Sequence, residues 1–314
     1  MSKLNISLKL LAAMLASAVA SHASINIETV YVGDAGNLAD STGYGAVSYD
    51  YHVGTYEVTN AQYVSFLNAK AKSDPNNLHK SDWAANSNYG IERLGSDGNY
   101  SYQPKTGMAN KPVAFVTFWD AARFSNWLTN GQGAGDTESG IYSLTTLGIA
   151  DNTVTRNQAA WNAGGVAIAN EDEWYKAAYY DQSLNSGAGD YWLYATQQAS
   201  GELTTADANY GKPSGGVVTE VGSFAGKDSY YGTYDQVGNV YEWNESIMGS
   251  TQRLLRGGSW SAALASTGRN PGGVTGESGE VGFRVASLEL IPEPSKYALL
   301  LGIASLAIVA RRRL

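Results

Sequence analysis

Three segments of the chain combine a helix start signal with an apolar face, and they limit the possible folds more than any other feature. The first is predicted over about residues 60–71, where Thr59 and Gln62 are spaced as a capping-box pair. Its apolar residues recur at helical spacing, with Tyr63, Phe66 and Leu67 on one side. The segment is therefore predicted to be an amphipathic helix.

The two other helices are predicted by the same kinds of signal. The second covers 119–129, after Thr117 or Phe118, because its apolar residues recur at helical spacing. The third begins at Asn170, whose side chain can cap a helix, and its first turn, 171–173, is acidic. Negative charge is favourable at a helix N-terminus, so this start is predicted from two independent signals.

Outside these helices the chain shows only short strand candidates, such as 46–53 and 282–287, separated by many turns. Gly-rich stretches at 131–135, 187–189 and 211–216 are short and lie between aromatic-rich segments, so they are read as loops rather than linkers. The expected fold class is α+β, with much irregular structure in a single domain over about residues 24–290.

The N-terminus has the pattern of a secretory signal peptide. Lys3 and Lys9 supply a positive start, Leu10 to Ala20 is an uncharged apolar run, and 21–23 contains residues suited to signal peptidase cleavage. We expect residues 1–23 to be removed by a cut after Ala23. Cleavage after Ala20 and a buried N-terminal helix are the alternatives.

The C-terminal residues 291–314 have three parts: a Pro-Glu-Pro motif at 292–294, an uncharged stretch at 297–310, and three arginines at 311–313. The stretch is shorter than the roughly 20 residues that span a bilayer comfortably, and the arginines are expected to stay cytoplasmic. The arrangement resembles the PEP-CTERM sorting signal of Gram-negative bacteria. It implies processing by an exosortase near the motif and delivery to the cell envelope, outer surface or extracellular matrix. A plain membrane anchor is the alternative.

The charge and the cysteine count exclude several classes of function. The chain has 21 basic and 29 acidic residues, a net charge of −8. Such a surface would be repelled by phosphate backbones and anionic lipid, so no nucleic-acid partner is expected, and membrane contact is expected only through the C-terminal segment before processing. The chain contains no cysteine, which excludes disulfides, thiolate metal sites and cysteine nucleophiles.

Six short blocks rich in Trp, Gly and charged residues occur in a fixed order along the chain. Each has a structural explanation: a tryptophan beside a carboxylate usually packs while its N–H finds a partner, Arg284 is expected to be paired internally, and Gly257-Gly258 permits a close backbone approach. The blocks are 56–60, 111–122, 171–174, 237–243, 255–260 and 282–285.

Together these blocks resemble the formylglycine-generating enzyme family, also called the sulfatase-modifying factor domain, over about Ile27 to Ser287. The resemblance implies a single irregular α+β domain related to the C-type lectin fold. It also implies a copper ion held by two cysteines after the Gly-Gly-Ser motif, but the matching positions here are Ala262 and Thr267. An alanine has no donor atom, and a threonine hydroxyl is a poor ligand for soft Cu(I). Ser259 is retained, yet copper-dependent formylglycine generation is not expected.

The resemblance further implies a calcium site in the loop that precedes Trp243. The matching ligands are Asp235, Gly238, Val240 and Glu242, with the two central residues contributing backbone carbonyls. Carboxylates and carbonyls are the hard oxygen ligands that Ca2+ prefers. A loop held by hydrogen bonds without metal is the alternative. A second family calcium site resembles the chain at Asn209, but its aspartate is not found near 213–215.

Three functions are compatible with these features. The first is an exported, non-catalytic binding or structural module at the cell surface or in the matrix. The second is an oxidoreductase of the same superfamily with a non-cysteine active site, which would need His, Asp or Glu side chains beside Ser259. The nearest in sequence are Glu277 and Glu280. The third is carbohydrate binding through exposed rings such as Tyr230 and Tyr231, an argument that rests mostly on fold analogy.

Overall fold

The computed structural model describes residues 24–87, 89–201, 203–212 and 216–291. The predicted signal peptide at 1–23, the Pro-Glu-Pro motif and apolar stretch after Ile291, and the 213–215 positions of the second calcium site lie outside these residues. Within the described ranges, no helix is long and apolar enough to cross a membrane.

Short helices and strands alternate along the described chain, so the α+β class is confirmed. The helices are α1 Asn60–Lys70, α2 Ser81–Ala85, α3 Phe118–Thr129, α4 Thr146–Ala150, α5 Gln158–Asn162, α6 Glu171–Tyr179 and the kinked segment α7 Leu184–Gly187. The strands are β1 Thr29–Val32, β2 Tyr51–Gly54, β3 Ile91–Leu94, β4 Ser101–Pro104, β5 Ala167–Ile168, β6 Tyr180–Asp181, β7 Asp190–Tyr191, β8 Tyr241–Gly249, β9 Gln252–Arg256, β10 Asn270–Gly273, β11 Val281–Gly282 and β12 Val285–Ser287.

The predicted helix starts are confirmed at atomic detail. Thr59 caps α1 and Asn170 caps α6, each in a capping box with the residue three positions on. Thr117 caps α3 in the same way, so that helix begins one residue earlier than predicted. Each cap supplies an acceptor to a backbone N–H that has no partner within its helix.

The predicted strands differ from the observed ones. Of 46–53, only the last three residues lie in a strand, because β2 begins at Tyr51 and the residues before it are irregular, with a bend at 48–49. The segment 282–287 is not one strand: β11 pairs with β8, whereas β12 pairs with β2 and β5. The break falls at Phe283 and Arg284, whose side chains are both fully buried in the core.

Two four-stranded sheets and the helices enclose an aromatic core. The sheet orders are β1-β2-β12-β5 and β10-β9-β8-β11, with two separate hairpins, β3-β4 and β6-β7. Helices α1 and α3 meet through stacked Tyr63 and Phe124 rings, whose centroids are 5.9 Å apart. Phe283, between the two sheets in sequence, packs edge-on against Phe124 at 5.4 Å. The break between β11 and β12 therefore places an aromatic ring in the centre of the core.

Candidate functional site

Arg284 is the centre of a buried ion pair that joins two of the sequence blocks. Its Nε and Nη2 donate to the two carboxylate oxygens of Glu242 at 2.6 and 2.7 Å, and both side chains are fully buried. Its remaining N–H groups donate to backbone carbonyls, including that of Gly54 at 2.9 Å. Trp174 adds a third donor to Glu242, at 2.8 Å. The internal pairing expected for Arg284 is therefore observed.

Two more carboxylates, both from the 171–174 block, are paired with arginines. Glu173 accepts from both Nη atoms of Arg156, at 2.8 and 2.9 Å. Glu171 is held by Arg256 and by a bidentate contact from Arg269. We call Glu171, Glu173 and Glu242 the arginine-paired carboxylates, because each is buried against at least one guanidinium.

The predicted calcium ligands lie beside this ion pair. Asp235 is largely buried, and one of its oxygens accepts from the backbone N–H of Gly222 at 2.7 Å. Burial raises the pKa of Asp235 to about 6, and the charge on Glu242 adds to the rise. Gly238 has φ of +87°, and a Cβ there would lie 2.4 Å from the carbonyl of Asn209, so this turn requires glycine.

A third carboxylate, Glu57, reaches the same loop from the block that begins at Tyr56. It is 1% exposed, and its Oε1 accepts from the side chain of Asn239 at 3.0 Å. Together with Asp235 and Glu242, it sets three buried carboxylates against the single guanidinium of Arg284. Burial raises the pKa of Glu57 well above its usual range, and Asp235 contributes to the rise. A dication suits this excess of negative charge, although within the described residues no three His, Cys, Asp or Glu side chains are grouped to hold a metal.

The retained Ser259 meets an acid that is distant in sequence. Ser259 and Ser261 both donate their hydroxyl hydrogens to Oε2 of Glu280, and the two serine oxygens are 3.0 Å apart. The turn from 259 to 262 is closed by mutual backbone hydrogen bonds between Ser259 and Ala262. It requires Gly258 in front of it, because a Cβ at that position would lie 2.3 Å from the carbonyl of Ala262.

Glu280 also lines a cleft of about 310 Å³. We call this cleft, with the two serine hydroxyls at Glu280, the serine cleft. Glu277 lies on its wall and pairs with Lys80 at 2.9 Å, whereas within the described part of the chain no ion pair involves Glu280. Apart from the hydroxyl of Ser278, the remaining lining is aromatic, apolar or glycine: Tyr241, Trp243, Leu255, Gly272, Gly273, Gly276 and Val281.

The donor set that would hold copper is absent from this region. Ala262 and Thr267 are both exposed and carry no soft ligand. His79 packs edge-on against Trp83, with ring centroids 5.2 Å apart, and His52 contacts Tyr31; neither lines the serine cleft. Tyr230 and Tyr231 contact each other at 5.2 Å and also lie outside its lining.

Sequence reasoning named Glu280 only as a nearby acid and did not predict its contact with Ser259. The two residues are 21 positions apart with no shared periodicity, because the contact depends on β11 returning beside β8. The one signal in the sequence was chemical: a buried serine hydroxyl such as that of Ser259 needs a hydrogen-bond acceptor, and Glu280 is one of the nearest acids. Glu57 was missed for the same reason, since its partner Asn239 is 182 positions away.

Comparisons with known proteins assign most of the described chain to one family. A family model described as "Sulfatase-modifying factor enzyme 1-like domain" matches residues 36–288. No curated protein matches the chain significantly. The solved structure of Treponema denticola variable protein 1 is similar with a TM-score of 0.55 and 18% identity, covering 86% of this chain and 98% of that one. The structure of CarF is similar with a TM-score of 0.51 and 19% identity, covering 84% and 98%.

Proposed function

The chain belongs to the family of sulfatase-modifying factor enzyme 1-like domains, and from this premise we propose that it is an exported, non-catalytic member that binds a carbohydrate of the envelope or matrix in the serine cleft. The observation that carries the proposal is the contact of Glu280 with Ser259 and Ser261 at the wall of an open cleft. At the two positions where the family resemblance implies metal-binding cysteines, this chain has Ala262 and Thr267.

The groups in the serine cleft are suited to recognising hydroxyl-rich ligands. Glu280 is an acceptor on the cleft wall, Ser278 supplies a hydroxyl, and Tyr241 is a partly exposed ring beside them. Ser259 is fully buried, and with Ser261 it orients the Glu280 carboxylate. A few polar groups converging on a largely apolar cleft are the usual composition of a small-ligand site. Glycines at 272, 273 and 276 keep that wall free of side chains, which leaves room for a sugar ring against the aromatic residues.

The positions of Ile25 and Ile291 support a domain orientation in which the serine cleft lies on the side opposite the C-terminal sorting segment. The Gln132 side chain holds both backbone groups of Ile25, and Gln132 and Ile291 line the same apolar cleft of about 610 Å³. This apolar cleft lies at the C-terminal end of α3. The serine cleft lies near the N-terminal end of α3, because Val274, which follows the lining residue Gly273, accepts a hydrogen bond from the backbone N–H of Phe118. Twelve residues of helix separate the two ends by about 18 Å.

Binding is tested on the purified full-length chain by calorimetry with a panel of neutral oligosaccharides. We expect at least one to bind, and Glu280→Gln to weaken that binding at least tenfold by removing the carboxylate acceptor. Glu92→Gln is the matched control, because Glu92 is an exposed glutamate on the separate β3-β4 hairpin. No binding by the wild type, or equal binding by Glu280→Gln, contradicts the proposal.

The oxidoreductase alternative is favoured by one observation, the acid placed beside Ser259. It is tested by oxygen uptake with a cysteine-containing peptide after incubation of the chain with copper or iron. Uptake that Glu280→Gln abolishes would replace the binding proposal, because it would assign the carboxylate to redox chemistry.

Export and sorting are supported by the two terminal patterns. We expect N-terminal sequencing of the exported protein to begin after Ala23, and finding Met1 there would contradict the signal peptide. Deleting Pro292–Leu314 leaves buried Ile291 in place, and we expect this deletion to release the protein from the envelope. Unchanged attachment would contradict the role of the exosortase-type sorting machinery.

A further inference from the structure

Glu57 has a carboxylate oxygen without a partner in the protein interior. Its Oε1 is held by Asn239, which lies between Gly238 and Val240 in the calcium loop, whereas its Oε2 is buried and has no hydrogen-bond partner among the described residues. An unpaired buried carboxylate oxygen is costly unless a cation, a donor or a proton satisfies it. Oε2 of Glu57 therefore needs a cation, a hydrogen-bond donor or a proton as its partner.

Glu242 is poorly placed to act as the calcium carboxylate that the family resemblance implies. Both of its oxygens accept hydrogen bonds from Arg284, and Oε2 also accepts one from Trp174. A cation beside them would have to displace or crowd a guanidinium that is itself fully buried. Its charge is already balanced by that of Arg284.

Asp235 and Glu57 remain as carboxylates that form no ion pair with any of the described residues, since Arg284 is paired with Glu242. Asp235 uses one oxygen for the backbone N–H of Gly222, and its other oxygen accepts no hydrogen bond from the described residues. When all three carboxylates are ionised, one guanidinium leaves two negative charges, which a single divalent cation would neutralise. Hard carboxylate and carbonyl oxygens are the ligands that calcium prefers.

We propose that Glu57, rather than Glu242, supplies the second carboxylate to a calcium ion held by Asp235 and the carbonyls of Gly238 and Val240. Asn239 is then a positioning residue, because its side chain orients Glu57 toward the loop. The inference rests on the calcium site implied by the family, and it is independent of ligand binding in the serine cleft.

The test uses the chelator-treated full-length chain and two readouts. Calcium in large excess over its dissociation constant should raise the melting temperature of the wild type by several degrees, since a ligand that binds only the folded state stabilises it. Terbium should bind the same loop and luminesce through energy transfer from a neighbouring tryptophan such as Trp174. We expect Glu57→Gln to weaken both responses at least tenfold in metal concentration, while the exposed Glu28→Gln leaves them unchanged.

The outcomes separate this inference from its premise. A calcium response that persists in Glu57→Gln overturns the role of Glu57 alone, and its loss in a folded Glu242→Ala would return the role to Glu242. No wild-type response overturns the calcium site as well. If Glu57→Gln also raises the melting temperature in chelator and the wild type ignores calcium, the partner of Glu57 is a proton. Glu57→Asp, which keeps the charge, should retain part of the response if Glu57→Gln does not fold.

Discussion

The arginine-paired carboxylates and the serine cleft use the same functional group in opposite ways. Glu242 is fully buried and bound at both oxygens, whereas Glu280 is partly exposed and its Oε2 accepts hydrogen bonds from two neutral serine hydroxyls. The sequence blocks that carry the family resemblance supply the first kind of carboxylate. Their retention is therefore explained by folding, and it says little about the chemistry of the cleft.

The difference also explains how the fold tolerates Ala262 and Thr267 at the two positions that the family resemblance matches to cysteines. Ala262 and Thr267 lie at the surface and take no part in the buried ion pairs. Removing metal ligands there leaves Arg284, Arg256 and Arg156 with their partners. The buried ion pairs and the residues proposed for ligand binding are therefore separate sets in this domain.

The sharpest test of the comparison is Arg284→Met. It leaves Glu242 buried without its cation, and breaking such a pair costs about 3–5 kcal/mol of unfolding free energy. Urea unfolding followed by tryptophan fluorescence measures the loss. Arg93→Met is the control, because Arg93 lies at the surface, 4.0 Å from Asp74, and should cost under about 1 kcal/mol. Similar small losses in both variants would contradict the structural role assigned to the pair.

The buried imidazole of His79 should make the stability of the fold depend on pH. Burial lowers the pKa of His79 from 6.5 to about 4, and the charge on Arg93 adds to the effect. Between these two values the unfolded chain binds more protons, so stability falls as pH is lowered through this window, by up to about 3 kcal/mol. We expect the stability difference between wild type and His79→Phe to shift toward the variant from pH 7 to pH 4. An unchanged difference would show that His79 titrates normally.

The turn that shapes the serine cleft should depend on Gly258. Gly258→Ala combines φ of +88° with a contact of 2.3 Å to the carbonyl of Ala262, and we expect a loss of about 2 kcal/mol. Gly226→Ala is the control, since Gly226 has φ of +71° but no atom within 4 Å of an added Cβ, and should cost about 1 kcal/mol. Thermal unfolding of both variants makes the measurement. Equal losses would mean that backbone conformation alone sets the cost.

The helices could be predicted because their signals are local. A capping pair such as Asn170 and Glu173 lies within one turn, so its spacing in sequence fixes its geometry. The strands were predicted less well: residues 46–50 are irregular rather than extended in a strand, and the segment 282–287 divides between two sheets at Phe283 and Arg284, which are buried in the core. The residue pattern of this six-residue segment does not indicate that its first part pairs with β8 and its last part with β2 and β5.

The candidate sites depend on contacts that no local pattern contains. Ser259 was recognised from its motif, but its acceptor Glu280 reaches it only because β11 pairs in parallel with β8. Glu57 lies in a recognised block, yet its role follows from an unpaired oxygen that only the packed interior makes visible. Motif reasoning thus named the residues of the candidate sites, and only three-dimensional packing shows which side chains they contact.

The smallest expected effect is the stability change in Glu280→Gln, and it tests the comparison from the side of the serine cleft. The amide has nearly the same shape as the carboxylate, and its oxygen can still accept from Ser259, so we expect unfolding free energy to change by less than about 0.5 kcal/mol, as for most surface substitutions. Glu242→Gln is the matched variant, because the same chemical change removes the charge that faces buried Arg284. Urea unfolding of the two variants side by side gives the result. A large loss in Glu280→Gln would make Glu280 a structural carboxylate like Glu242, and the weakened sugar binding predicted for this variant would then lose its meaning.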